Sequence, residues 1–177
     1  MKLLDATFET CGDLQELFQP LSSDLVALQL SSGPLKGRVQ AWGYDGFRLN
    51  LLNTNQTLFL SGSRRAGACT MAIPLHPAEG DGGYKAQGIT MPLPGLMGYN
   101  RSLIDFDLKI PAGAQLATVV ISKAAWINRH GQTGGPLMMK RWEQTNQLEV
   151  RTPLRHQLQH QLMELIHGPT DPEKTED

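Results

Sequence analysis

The sequence predicts a mainly β protein, a barrel or a sandwich of short strands, with a helical segment near the C-terminus. Between residues 25 and 122, about eight or nine short apolar runs recur at a spacing of roughly 8–12 residues, which is typical of these architectures. The chain contains 18 glycines and 11 prolines, which fall largely between the runs and mark turns. From residue 152 onward, leucines recur at the spacing of an amphipathic helix.

The composition is that of one globular domain of 177 residues. Sixteen basic and 17 acidic residues give a formal charge of −1, which excludes a global basic field that would attract nucleic acid. Cys11 and Cys69 are isolated, so we expect no zinc site or disulfide framework, and a reducing cytoplasm fits best. The chain shows no signal-peptide pattern and no apolar run approaching the ~18 residues of a membrane span, so we expect no membrane association.

The first elements are a helix and a strand. The spacing of leucines in "GDLQELFQP" predicts a short helix from about Asp13 to Gln19, which Asp13 would cap and Pro20 would end. In "DLVALQLSSG", the alternation of Leu28 and Leu30 with polar neighbours predicts the first strand.

A β-hairpin is predicted over residues 36–42 and 46–52, around the turn "GYDG". Residues that alternate along a strand share a face. In the first strand, Arg38, Gln40 and Trp42 lie on one face, opposite Val39 and Ala41. In the second strand, one face carries Arg48, Asn50 and Leu52, and the other carries Phe47, Leu49 and Leu51.

Further strands are predicted in "TLFLSG", "ACTMAIPL", "YKAQGITMPLPG" and "LMGYN". The clearest alternation lies in "LIDFDLKIPAG", and the fuller apolar run "AQLATVVIS" is typical of a strand that is buried on both faces.

Two helices are predicted after the strands. Ser122 would cap the first, and Gly131 would end it. Thr152 would cap the second, which Gly168 and Pro169 close. The second helix carries an apolar stripe within an arc of about 120°, which could pack on its own barrel or on a second copy of the chain. This leucine stripe consists of Leu154, Leu158, Leu162, Leu165 and Ile166.

Chemistry-bearing patterns are weak in this sequence. A metal-binding barrel needs two closely spaced histidines, a glutamate and a later histidine, whereas the β region has only His76. No Gly-x-Ser-x-Gly pattern suggests a nucleophile. We therefore expect no catalytic residue, no metal and no cofactor.

A binding pocket is predicted from aromatic and polar side chains that share one strand face. Pockets combine apolar walls with a few placed polar groups. Trp42 shares its face with Arg38, and Tyr99, near the end of a later strand, could approach the same cavity. Arg38, Trp42 and Tyr99 are therefore the predicted ligand-binding residues, and an inward charge would favour an acidic or polar ligand.

Two turn-and-strand motifs resemble the amino-terminal effector domain of AraC/XylS-type transcription regulators. The first is "SGPLKG", from Ser32 to Gly37, and the second is "FDLKIPAG", from Phe106 to Gly113. The resemblance extends from about Cys11 to Ile166. It implies a cupin-like β-barrel that can bind a small-molecule effector, followed by helices that form a homodimer, so that the leucine stripe is the predicted dimer interface. It also implies DNA binding through a separate domain with two helix-turn-helix motifs, which the residues after 122 do not contain.

The resemblance therefore implies a cytoplasmic, non-enzymatic domain for ligand sensing and dimerisation. Its parts would be a cupin-like barrel with a short N-terminal helix over residues 1–121, a helical dimerisation segment over 122–168 and a disordered acidic tail over 169–177. Two alternatives remain open at this point. One is a stand-alone cupin-like module for protein interaction, and the other is a small metal-dependent cupin enzyme.

Overall fold

The computed structural model describes residues 1–19, 24–63, 67–75, 83–91, 95–97, 105–131 and 144–167. Within these ranges the chain is mainly β, with a C-terminal helix, as the sequence predicts. The elements in chain order are β1 (Lys2–Phe8), α1 (Cys11–Phe18), β2 (Val26–Gln29), β3 (Gly37–Tyr44), β4 (Phe47–Thr54), β5 (Leu58–Ser63), β6 (Ala68–Pro74), β7 (Lys85–Ala86), β8 (Ile89–Thr90), β9 (Gly95–Met97), β10 (Asp105–Ile110), β11 (Gln115–Ser122), α2 (Lys123–Gly131), β12 (Gln147–Glu149) and α3 (Thr152–His167).

Among the described residues, the strands form two antiparallel sheets. The larger sheet has the order β1-β3-β4-β11-β6-β9-β12, and the smaller sheet has the order β2-β5-β10-β7-β8. No strand pairing within the described ranges joins one sheet to the other, so the arrangement there is two-layered and not a closed ring. None of the helices in these ranges has both the length and the apolar character that a membrane crossing requires.

The N-terminal elements differ from the sequence prediction. β1, which was not predicted, pairs with β3 from Lys2 opposite Trp42 to Phe8 opposite Gly37. The cap of α1 was predicted wrongly, because the hydroxyl of Thr10 accepts the hydrogen bond from the Asp13 backbone. Asp13 instead lies at the third helical position, where its carboxylate accepts a hydrogen bond from the Thr10 backbone and completes a capping box. The helix therefore begins at Cys11.

The main core lies between the two sheets. It includes Leu58 and Leu60 from the smaller sheet, Val39 and Leu116 from the larger sheet, and Leu14 from α1. α1 also supports the edge of the smaller sheet, since the side chain of Gln15 accepts a hydrogen bond from the Ala27 backbone on β2. Such a contact blunts an otherwise unpaired strand edge.

A second core covers the back of the larger sheet. Leu49 and Leu51 from β4 pack there with Leu162 and Ile166 from α3. Both faces of β4, in the middle of the larger sheet, are therefore covered, one by the smaller sheet and the other by α3. This cover explains why β4 carries apolar side chains on its back face. Arg48 and Asn50 alternate with them and line the space between the sheets.

Tyr84 makes the stability of the core sensitive to alkaline pH. Its side chain is fully buried, its hydroxyl lies 3.5 Å from the backbone oxygen of Gln115, and burial raises the pKa of this hydroxyl. A pKa that is higher in the folded chain than in the unfolded chain stabilises the fold below about pH 10, and this contribution is lost as the pH rises further. We expect the free energy of unfolding to fall above about pH 10, as measured by urea denaturation. Tyr84→Phe should make that fall less steep, and an identical slope in both proteins would contradict the assignment.

Candidate functional site

A cavity of about 390 Å³ lies between the two sheets. This volume is within the range of about 300–1,000 Å³ that small-molecule pockets occupy. The cavity opens where the inner faces of β4, β6 and β11 stand opposite those of β5, β7 and β10. It is therefore a space that the fold itself creates, lined by regular strands and not by loops alone.

The register of β4 and β11 arranges the wall of the larger sheet in layers. Two residues along a strand cover about 6.6 Å, so the layers span roughly 13 Å from end to end. One end is apolar, the middle layer is polar, and the third layer combines a cation with an apolar residue. The layers are Leu52 with Leu116, Asn50 with Thr118, and Arg48 with Val120.

The opposite wall is mainly apolar, and Ser63 from β5 and Asp107 from β10 are the polar lining residues on its strands. Leu60 from β5, Phe106 and Leu108 from β10, and Ala86 from β7 contribute its apolar surface. Phe18 from α1 extends this apolar surface. A bound molecule would therefore meet polar groups on one side and mainly hydrocarbon on the other.

Asn50 is the most deeply buried polar side chain of this wall, with only 4% of its surface exposed. Its Nδ2 donates a hydrogen bond to Oγ1 of Thr118 at 3.0 Å. Its Oδ1 is buried and has no hydrogen-bond partner among the described residues. Leaving such an acceptor unpaired costs about 1–3 kcal/mol, so the fold carries a polar group that it does not itself satisfy.

At the rim of the cavity, Gln87 connects the smaller sheet to the segment before α3. Gln87 and Gly88 form the two-residue turn between β7 and β8, with φ angles of +47° and +72°. A positive φ is unusual for glutamine, and such strain often accompanies a side chain with a specific task. The Oε1 of Gln87 accepts a hydrogen bond from Nδ2 of Asn146 at 2.6 Å, and both side chains line the cavity.

Two of the predicted ligand-binding residues, Arg38 and Trp42, lie elsewhere. Arg38 is exposed on the back face of β3, where its guanidinium donates two hydrogen bonds to the Asp5 carboxylate at 2.6 and 2.8 Å. Hydrogen bonds from Arg38 and then Lys2 hold the pKa of Asp5 well below its usual range. Trp42 is buried in the core behind the larger sheet. Neither side chain lines the cavity, and Tyr99 lies outside the described residues.

The leucine stripe of α3 divides into a buried and an exposed part. Leu162 and Ile166 are buried against the larger sheet, and Leu158 packs beside them. Leu154 and Leu165 remain 58% and 40% exposed. Of the two readings of the stripe, packing on the chain's own sheet therefore accounts for three residues, and dimerisation remains a prediction for the other two.

Polar contacts also hold α3 against the larger sheet. The side chain of Gln159 donates to the backbone oxygens of Pro74 and Leu75 at 3.0 and 2.8 Å. The hydroxyl of Tyr44, in the hairpin, donates to the backbone oxygen of Leu165 at 2.6 Å. The helix is thus fixed at several points along its length.

No cluster of three or more metal-ligating side chains occurs in the described part of the chain. His76, the histidine of the β region, lies outside that part.

Comparison with known proteins gives one distant structural likeness. No protein-family model and no curated protein matches the sequence. The chain is similar to the crystal structure of the AraC-like transcriptional activator CuxR, with a TM-score of 0.41 and 8% identity. The alignment covers 96% of this chain and 82% of that chain. A likeness of this strength does not assign a function.

Proposed function

We propose that this chain is a sensor domain whose cavity between the sheets binds a small organic molecule. The observation that carries the proposal is the polar layer of Asn50 and Thr118 inside a mainly apolar cavity of about 390 Å³. Ligand sites commonly combine apolar walls with a few polar groups that fix orientation. Asn50 and Thr118 are such groups, and they lie on two central, paired strands of the larger sheet.

The sequence motifs support a role in an AraC-type transcription regulator. Both contain glycines that the backbone requires. Gly37 lies directly beneath the ring of Phe8, and Gly113 has a φ of +71° in the turn between β10 and β11. In this proposal the chain senses an effector and dimerises, while DNA binding belongs to a separate helix-turn-helix domain.

Native mass spectrometry of the purified full chain, beside a denatured sample, tests ligand binding. We expect a non-covalent organic mass that is present under native conditions and absent after denaturation. Protein that carries no such mass and binds none of a set of small organic compounds would contradict the proposal.

Dimerisation through α3 is the second part of the proposal. Leu154 and Leu165 lie about 20° apart around the helix axis and roughly 16 Å apart along it, so they are two exposed apolar residues on one face of α3. We expect Leu154→Asp/Leu165→Asp to convert a dimer into a folded monomer, as measured by light scattering. Both positions are exposed, so the change should leave the thermal midpoint of the monomer nearly unchanged.

The matched control for that variant is His156→Asp, which adds a charge on the opposite side of α3 at an exposed position. It should remain dimeric. A double variant that stays dimeric would show that α3 is not the interface.

A protein-interaction module is the second candidate function. The observation in its favour is an exposed apolar row on and just after the edge strand β2, formed by Val26, Leu28 and Leu30, each about half exposed. Apolar side chains gathered in one exposed patch often mark interaction surfaces. The two candidate functions differ in whether the cavity holds a ligand. A sensor binds a ligand there, and an interaction module does not require one.

A further inference from the structure

We infer that the ligand of the cavity is a mainly apolar molecule that carries a hydroxyl group, and that Asn50 binds this hydroxyl. The inference rests on the proposed ligand-binding function and names the chemistry of its ligand. It follows from the pairing of Asn50, the register of the strands and the composition of the opposite wall.

The pairing of Asn50 decides which group it can bind. Its amide uses one end on Thr118 and leaves the other end buried without a partner among the described residues. As placed, the unpaired atom is the acceptor Oδ1, which requires a donor. An amide turned by 180° would instead present its Nδ2, with the Thr118 hydroxyl donating to Oδ1. A hydroxyl group both donates and accepts, so it satisfies Asn50 in either orientation.

The register decides how the rest of the ligand lies. The apolar layer of Leu52 and Leu116 is about 6.6 Å from the layer of Asn50 along the strands. Leu60 and Leu108 from the smaller sheet also line the cavity. A hydroxyl at Asn50 therefore leaves the hydrocarbon body of the ligand in contact with these leucines.

The leucine and phenylalanine surface of the opposite wall disfavours polyhydroxylated molecules, since Ser63 and Asp107 are the only polar lining residues on its strands among those described. A sugar would place several hydroxyls against Leu60, Phe106 and Leu108, whose side chains offer no hydrogen bonds. Polar groups buried without partners lower affinity, so one hydroxyl is favoured and many are not.

Matched pairs of compounds test the inference on the purified full chain. Each pair differs by a hydroxyl in place of a methyl group: 4-ethylphenol and 4-ethyltoluene, 2-naphthol and 2-methylnaphthalene, cyclohexylmethanol and ethylcyclohexane. Affinities are measured by titration calorimetry or by ligand-observed NMR. We expect at least one hydroxyl compound to bind at least tenfold more tightly than its methyl partner, and myo-inositol not to bind.

Asn50→Leu links the preference to the side chain. This variant should bind both members of the preferred pair with similar affinity, because the acceptor is gone while the apolar walls remain. Should the single change impair folding, Asn50→Leu/Thr118→Val removes both polar partners together and keeps their approximate shapes. Replacing both members of a buried polar pair is often tolerated.

The outcomes separate this inference from the proposed function. Equal binding of both members of every pair to the wild type would overturn the hydroxyl assignment and leave the cavity as a ligand site. A hydroxyl preference that persists in Asn50→Leu would also overturn the hydroxyl assignment. Binding of myo-inositol more tightly than any compound of the pairs would overturn it as well. Absence of binding by every compound would overturn the assignment, and if native mass spectrometry also finds no bound organic mass, the proposed function fails with it.

Discussion

Gly37→Ala is expected to destabilise the protein severely. A Cβ at this position would lie 2.1 Å from Cζ of Phe8 and 2.6 Å from the backbone oxygen of Asn53. Phe8 is 2% exposed, and Asn53 belongs to the paired strand β4, so neither group can move away without disturbing the core. Overpacking typically costs about 1–3 kcal/mol, and two contacts this close place Gly37→Ala at the upper end of that range.

Thermal unfolding followed by circular dichroism measures the effect of Gly37→Ala. A loss of about 3 kcal/mol lowers the midpoint by roughly 6–12 °C in a protein of this size. Gly12→Ala is the control, because the nearest atom to its Cβ is 3.6 Å away and alanine favours the helix that Gly12 belongs to. Similar midpoints for the two variants would show that the contact between Phe8 and Gly37 does not constrain the fold.

Ala72→Phe is expected to abolish ligand binding while the protein stays folded. Ala72 lines the cavity on β6, directly opposite Thr118 in the register, so a phenyl ring there occupies the space beside the polar layer. A ligand at 100 times its dissociation constant stabilises the wild type by about 2.7 kcal/mol. This stabilisation, measured with the tightest-binding of the three hydroxyl compounds, should disappear in Ala72→Phe.

Val26→Phe is the matched control for the cavity-filling variant. It adds the same ring on an exposed position of β2, away from the cavity. The control should keep the stabilisation by ligand. If Ala72→Phe binds as tightly as Val26→Phe, the ligand lies outside the cavity.

The sequence predicts where most strands lie, but not which face of each strand lies between the sheets. Alternation along β4 correctly separated Arg48 and Asn50 from Leu49 and Leu51. However, α3 covers the back of the larger sheet, so apolar residues occur on both faces of β4 and their pattern does not reveal which face lies between the sheets. The aromatic ring of Trp42 suggests a pocket residue, but it packs in the second core, behind the larger sheet.

The second strand of the hairpin contains a sequence pattern that indicates the cavity. Arg48 and Asn50 interrupt an otherwise apolar strand at alternate positions, and a strand covered on both faces has no solvent-facing side to explain them. Recognising them as cavity residues required the structural knowledge that α3 packs behind the same strand. The helical period predicted the leucine stripe of α3 correctly, but a period does not identify the surface against which a stripe packs.

The N-terminal strand β1 could not be predicted from the sequence for a different reason. β1 is stabilised by its partner β3, to which it is bonded over residues Lys2 to Phe8, and not by a strong local pattern. Its side chains are mostly exposed apart from Phe8. Strand propensity depends on such tertiary neighbours, which a single sequence does not display.

The central claim is that a small molecule binds between the two sheets, with its apolar body against the leucines that line the cavity. Isotope-edited NMR on the complex with the tightest-binding of the three hydroxyl compounds measures this directly through nuclear Overhauser effects between ligand protons and protein methyl groups. The account predicts such effects to the methyl groups of Leu52, Leu60 and Leu116. Effects to Val26 and Leu28 on the outer surface, with none to the inner leucines, would contradict it.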